Sequence, residues 1–259
     1  MNAFAQLTLP RVSLPRVYAL ESKHEFLRLL RAPSFAVPTL LFPAMFYCLF
    51  AVLFVKNATG DYHANIYLLA TYGVFGVMAP GLFGFGVSVA LDRERGWLTL
   101  KRAQPMPPGA YLAAKMAMAM LFAAVIFTIL ALMAITLGGV HLPVSSWALL
   151  FAVDVLGVLP FCAIGLFVGT WVNGQGAPAV INLIYLPMSF LSGLWMPISM
   201  LPGVIREIAP LWPAYHLGQL ALTAVGQVPG GATLQHVAAL AGFAAVFLAL
   251  ARRRLVQSA

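Results

Sequence analysis

Residues 111–137 read YLAAKMAMAMLFAAVIFTILALMAITL, with Lys115 near the beginning as the only charged side chain. A helix needs about 20 mostly apolar residues to cross the roughly 30 Å of hydrocarbon in a bilayer. This stretch is therefore predicted to span a membrane with residues to spare. The whole chain has the same character. Of its 259 residues, 62% are apolar and 8% charged, with a mean hydropathy of +0.92. Soluble domains run near 45–50% apolar and about 25% charged. So few charges cannot clothe a soluble surface, which excludes a soluble enzyme, a disordered regulator and a disulfide-stapled secreted domain.

Working outward from 111–137, five more apolar stretches qualify as spans: about 34–55, 65–90, 146–171, 177–196 and 233–251. The predicted fold is an all-α membrane protein of six transmembrane helices. Three parts follow: an N-terminal segment 1–33, a single transmembrane domain 34–251, and a tail 252–259. Thirteen of the fifteen Lys and Arg residues lie in the N-terminal segment, in the connection after span two with Lys115, and in the tail. Only Lys56 and Arg206 lie on the other side. An excess of Lys and Arg marks the cytoplasmic face, so both termini are expected inside a cell membrane. The same placement reads the net charge of +8 as membrane orientation and not as a nucleic-acid footprint. Residues 1–20 are broken by Pro10, Arg11, Pro15 and Arg16. With no uninterrupted apolar run for a signal peptide, span one is expected to direct insertion.

Three polar or proline-rich segments frame the spans. Residues 20–31, LESKHEFLRLLR, set Leu20, His24, Leu27 and Leu30 at helical spacing with charges opposite. This predicts an amphipathic helix on the cytoplasmic interface, serving either as an anchor or as a contact surface. Residues 91–110, LDRERGWLTLKRAQPMPPGA, are the most polar stretch. A short two-faced helix is expected there, ended by Pro105, Pro107 and Pro108. Residues 196–232 hold five prolines and little charge beyond Arg206 and Glu207. An apolar segment so broken cannot satisfy its backbone in lipid, so it is expected to fold back as half-helices over 204–209 and 214–225.

Chemistry-bearing motifs are scarce. No GxxxxGK[ST] phosphate loop occurs, and His24, His63, His141, His216 and His236 have no metal-ligand spacing. No metal site is expected. Met116, Met118 and Met120 scatter around a helix, while Cys48 and Cys162 fall inside apolar stretches, so both sets read as packing. Gly81, Gly84 and Gly86 in span two, and Gly157, Gly165 and Gly169 in span four, mark close helix approach. Asp154 is the only ionisable side chain well inside a span. Such a residue faces a cavity, pairs, or stays protonated, and an outer vestibule is one expectation. Asn182, Tyr185, Ser189 and Ser192 fall on one stripe of span five, either bonding between helices or walling a substrate path.

Taken together, ESKHEFLRLLRAPSF leading to FPAMFY, ERGWLTLKRAQPMPPGAYLAAK after span two and NLIYLPMSFLSGLWMPISMLP…IAPLWPAYHLGQL after span five resemble the membrane-spanning permeases of type-2 ABC exporters. The resemblance covers about residues 20–251. Length and the lack of an ATPase domain resemble the bacterial half-permeases of the daunorubicin-resistance and polysaccharide-export kind.

The resemblance implies a separate soluble ATPase carrying ATP and magnesium, two copies of it binding two copies of this permease. It implies no cofactor in this chain and no enzymatic activity of its own. It assigns Glu94, Arg95, Gly96, Trp97, Leu98, Lys101 and Arg102 to a coupling helix on the ATPase, with Glu25, Arg28 and Arg31 as further contacts. Few internal charges favour a hydrophobic or amphipathic cargo (drug-like, lipid or lipid-linked). The alternatives are an ion-coupled secondary transporter or channel, and a non-transporting membrane anchor or sensor for an ATPase.

Overall fold

The computed structural model describes residues 13–59, 62–97, 100 and 109–257, and among these the chain is helical without a strand. The helices are α1 (Leu14–Leu30), α2 (Pro33–Phe46, continued as a wide π-helical stretch Tyr47–Thr59), α3 (Tyr62–Ala79), α4 (Ser88–Glu94), α5 (Ala110–Thr136), α6 (Val144–Trp171), α7 (Ala177–Leu191), α8 (Gly203–Ile208), α9 (Pro213–Ala224) and α10 (Thr233–Gln257). A second π-helical stretch, Pro80–Val87, joins α3 to α4 into one long rod.

Five segments are long and apolar enough to cross a membrane: Pro33–Leu53, His63–Glu94, Ala110–Thr136, Val144–Trp171 and Gly230–Arg254. The fifth expected span is shorter than the sequence suggested. Helix α7 stops at Leu191 after 15 residues, about 22 Å at 1.5 Å per residue. The stop is local chemistry: Gly193 takes φ +76° and the Leu194 amide folds back onto the Ser189 carbonyl at 3.2 Å, a glycine C-cap. Tyr67 on α3 then holds this turn, its hydroxyl donating to the Gly193 carbonyl at 2.6 Å. Beyond it, α8 and α9 match the two expected half-helices within a residue or two. Helix α9 packs on α3, α6 and α10.

The α3–α4 rod is the centre of the bundle, most of it buried. Its wide turn has a cause in the sequence. Pro80 has no N–H to donate, so the ladder opens there. The opened stretch then meets α6 along a glycine seam. A Cβ on Gly165 would lie 2.5 Å from the Gly81 carbonyl oxygen, and one on Gly169 would lie 2.5 Å from that of Gly86. The reverse holds as well, with a Cβ on Gly86 falling 2.7 Å from the Gly165 carbonyl. Gly157, expected on the same face, instead makes room for Leu217 of α9.

The N-terminal helix covers the stretch expected to be helical, up to Leu30. It begins at Leu14 and lies against α5, where Phe26 and Phe35 bracket Phe122 with ring centroids at 4.9 and 5.3 Å. Its leucines Leu20 and Leu30 are exposed, while Glu25 is buried. In a chain bathed in lipid the apolar stripe can face outward, and the polar residue turns in because charged partners wait there.

Backbone cannot yield as a flexible side chain can. Gly165→Val should therefore force the two rods apart and destabilise the bundle by about 1–3 kcal/mol, the usual cost of overpacking. Thermal unfolding of the purified protein followed by size-exclusion chromatography checks this. A variant as stable as the parent would disprove the seam.

Candidate functional site

The end of the bundle where α1, α4 and the base of α5 meet holds a charged cluster. Lys115, in the second turn of α5, is fully buried. Its Nζ lies 3.0 Å from Asp92 Oδ2 and 3.3 Å from Glu25 Oε2, and donates to Ser88 Oγ at 2.8 Å. Arg28 closes the set, at 2.8 Å from Glu25 Oε2 and 3.2 Å from Asp92 Oδ1. The Tyr111 hydroxyl donates to Asp92 Oδ2 at 2.8 Å. Two cations and two anions cancel, as burial requires. The cluster ties α1, the end of the α3–α4 rod and the base of α5 into one body.

Next to it, α4 is fastened to the end of α6. Arg93 donates to the Thr170 carbonyl and, at 2.8 Å, to that of Val172. Glu94 accepts the Gly174 amide at 2.8 Å. Gly96 then ends the helix at φ +71°, a left-handed stop that only glycine adopts cheaply. The Leu100 amide donates to the Gly96 carbonyl at 3.3 Å. Arg95, Gly96 and Trp97 are exposed there, with the Arg95 guanidinium 6.0 Å above the Trp97 ring.

Higher in the bundle, α2, α3 and α7 enclose a cleft of about 470 Å³. Phe35, Phe42 and Phe46 line one side, Phe75 and Phe83 the back, and Asn182, Tyr185 and Trp195 the other side. Among the described residues no charged side chain lines it. The rings brace one another: Phe75 stacks on Tyr185 at 5.0 Å, and Phe46 lies 5.0 Å from Trp195. The Tyr185 hydroxyl donates to the Phe75 carbonyl at 3.0 Å, near where Pro80 deprives α3 of a donor. The tyrosine therefore presents its ring face to the cleft, with its polar end already satisfied. Such a site suits an apolar or aromatic body and offers nothing to balance a charged group.

The stripe predicted on span five is divided by this arrangement. Asn182 and Tyr185 line the cleft. Ser189 stands behind it, accepting the Trp195 indole N–H at 3.0 Å and so fixing that ring. The Ser192 hydroxyl is buried without a hydrogen-bond partner. Asp154 is not part of the cleft. It is buried on α6, both carboxylate oxygens without a hydrogen-bond partner among the described residues, at a point where a Cβ on Gly73 would lie 2.7 Å from Oδ2. The expected vestibule around Asp154 is replaced by close packing against α3.

Residues 18–225 match the model of the ABC-2 type transporter family. The chain belongs to this family. Over 232 residues it is 25% identical to YvfS of Bacillus subtilis, a protein named as a transport permease. That alignment covers 90% of this chain and 94% of the relative. It is also 32% identical over 120 residues to nodulation protein J of Sinorhizobium fredii, covering 43% of this chain and 46% of that one. The chain is a multi-pass membrane protein of a family of transport permeases.

Within this ABC-2 permease, the residues expected at an ATPase contact fall into three groups. Arg31, Arg95, Gly96 and Trp97 are exposed. Glu25 and Arg28 are engaged in the charged cluster, and Glu94 is engaged with Gly174. Leu98, Lys101 and Arg102 lie outside the described residues. Sequence reasoning missed Asp92 and Lys115 as partners. The available signal was a lysine at the base of an apolar span, with acids in the two polar segments that precede it in the chain.

Removing one member of a buried ion network strands the others. Lys115→Met should cost about 3–5 kcal/mol of stability by that rule, and adding Glu25→Gln should restore part of it. Thermal unfolding of the single and double variants measures both. Equal stability of Lys115→Met and parent would remove the cluster from the fold's supports.

Proposed function

We propose that the chain is the membrane subunit of an ATP-driven exporter of a hydrophobic or amphipathic molecule. The observation that carries this reading is the uncharged aromatic cleft between α2, α3 and α7, in a member of a transport-permease family. In this reading α7 and the turn after it form a sixth span, both termini are cytoplasmic, and 196–232 is re-entrant from the outer side. Two permeases pair with two copies of a separate soluble ATPase, which holds ATP and magnesium. The exposed Arg95, Gly96 and Trp97, with Leu98, Lys101, Arg102 and Arg31, meet that ATPase. The charged cluster carries its movement into α5 and the α3–α4 rod. Glu25, Arg28 and Glu94 serve this from inside, by holding the contact surface in place.

Purification from native membranes in mild detergent, with mass spectrometry of co-eluting proteins, is expected to recover a stoichiometric soluble ATPase. Its reproducible absence from intact, monodisperse permease would overturn the ATP-driven reading. The ion-coupled alternative would then stand on Asp154, the buried carboxyl without a hydrogen-bond partner. Given the complex, Arg95→Glu with Lys101→Glu should abolish transport while the complex still assembles. Phe46→Ala with Trp195→Ala should instead lower transport at unchanged basal ATP hydrolysis. Full transport by the second pair would exclude the cleft as the path.

A further inference from the structure

The outer half-helix α9 is joined to α10 by two histidines. Nε2 of His216 lies 2.9 Å from the Pro210 carbonyl oxygen, and its Nδ1 lies 2.9 Å from Nδ1 of His236. A carbonyl oxygen can only accept, so Nε2 of His216 carries a proton. With His216 neutral, its Nδ1 is an acceptor and the His236 Nδ1–H donates to it. His216 is buried and His236 half-buried. The pair closes a chain of hydrogen bonds from the turn at 209–211, through α9, to the start of the last span.

We propose that His216 and His236 form an acid-labile clasp, which holds the outer segment 209–224 against α10 while either imidazole is neutral and releases it when both are protonated. Proton counting gives the behaviour. One added proton leaves a donor facing an acceptor, so the bond survives. A second turns both Nδ1 atoms into donors 2.9 Å apart, and two like charges meet in a place poor in water. The two imidazoles therefore titrate as a coupled pair with two steps.

The surroundings supply no carboxylate to neutralise a second charge. The Tyr215 ring lies 5.5 Å from His216 and 6.0 Å from His236, and the Phe243 ring lies 6.4 Å from His216. Of the elements packed against α9, α3 carries His63, which is bonded to Gln227, and also Tyr67 and Tyr72. Helix α6 carries Asp154, one turn before the Gly157 that meets Leu217. Helix α7 carries Tyr185, committed to the Phe75 carbonyl. Arg206 and Glu207 of the neighbouring α8 are exposed. Among the described residues none of these groups bonds to either imidazole. His216 lies outside the spanning helices, and burial holds it below the usual 6.5. A depressed histidine favours the neutral form in the fold. The clasp is thus fully present above about 6.5 and is lost as pH falls below that value.

Leu211 and Leu234 flank the clasp and are exposed, at 70% and 81%. Spin labels on Leu211→Cys and Leu234→Cys, with Cys48→Ser and Cys162→Ala, would report the distance across it in the full chain in lipid nanodiscs. One short distance is expected at about pH 8, with a longer component growing reversibly as pH falls below about 6.5. His236→Gln supplies an amide that can donate or accept but does not titrate, so it should keep the short distance throughout. His236→Leu fills the space without the bond and should show the longer component at every pH. A distance in the parent protein that ignores pH would overturn the clasp. So would a transition in His236→Gln matching that of the parent.

Discussion

The closeness of the α3–α4 rod to α6 is the contact on which the rest of the bundle is hung. Lipid gives helices no hydrophobic reason to associate, so van der Waals packing between small residues must supply it. The glycines at 81 and 86 face those at 165 and 169 at backbone distance. That approach needs the opening of the rod at Pro80, which widens the helix through Val87. One proline and two glycine pairs thereby fix where the central rod stands.

Each end of the rod then does different work. At its lower end α4 is bonded to the end of α6 through Arg93 and Glu94. The Asp92–Lys115–Glu25–Arg28 cluster fastens the same end to α1 and α5. Among the described residues, α1, α5 and α6 are thereby each tied to that end by charge or by hydrogen bonds to backbone. At mid-height the rod's Phe75 and Phe83 form the back of the aromatic cleft. The rod thus joins the charged cluster at its lower end to the ring-lined cleft at mid-height.

Membrane surroundings also account for which faces of α1 turn in and out. In water, exposed Leu20 and Leu30 with a buried Glu25 would be an inverted helix. Lipid tolerates the leucines, and the buried Lys115 with the half-buried Arg28 makes the inward carboxylate favourable. Asp154 is the counter-case, a buried acid with no partner within hydrogen-bond range among the described residues. The sequence flagged it as unusual and was right to do so, but its surroundings are a helix contact and not an aqueous vestibule.

The sequence by itself determined the solvent, the helical class and the placement of nearly every span, because hydrocarbon imposes length and hydropathy on each helix separately. It also marked the segments that bend, since Pro80, Gly96, Gly193 and the prolines after Met196 act on their own backbone. Asn182 and Tyr185 were legible as a polar stripe for the same local reason. Only the tertiary structure decided which faces meet. It brought Lys115 to Asp92 and Glu25 across 23 and 90 positions of chain, split the span-five stripe between cleft and core, and set His216 on His236. Those pairings depend on the rotation and tilt of whole helices, which interlocking side chains fix and which a one-dimensional pattern of hydropathy does not encode.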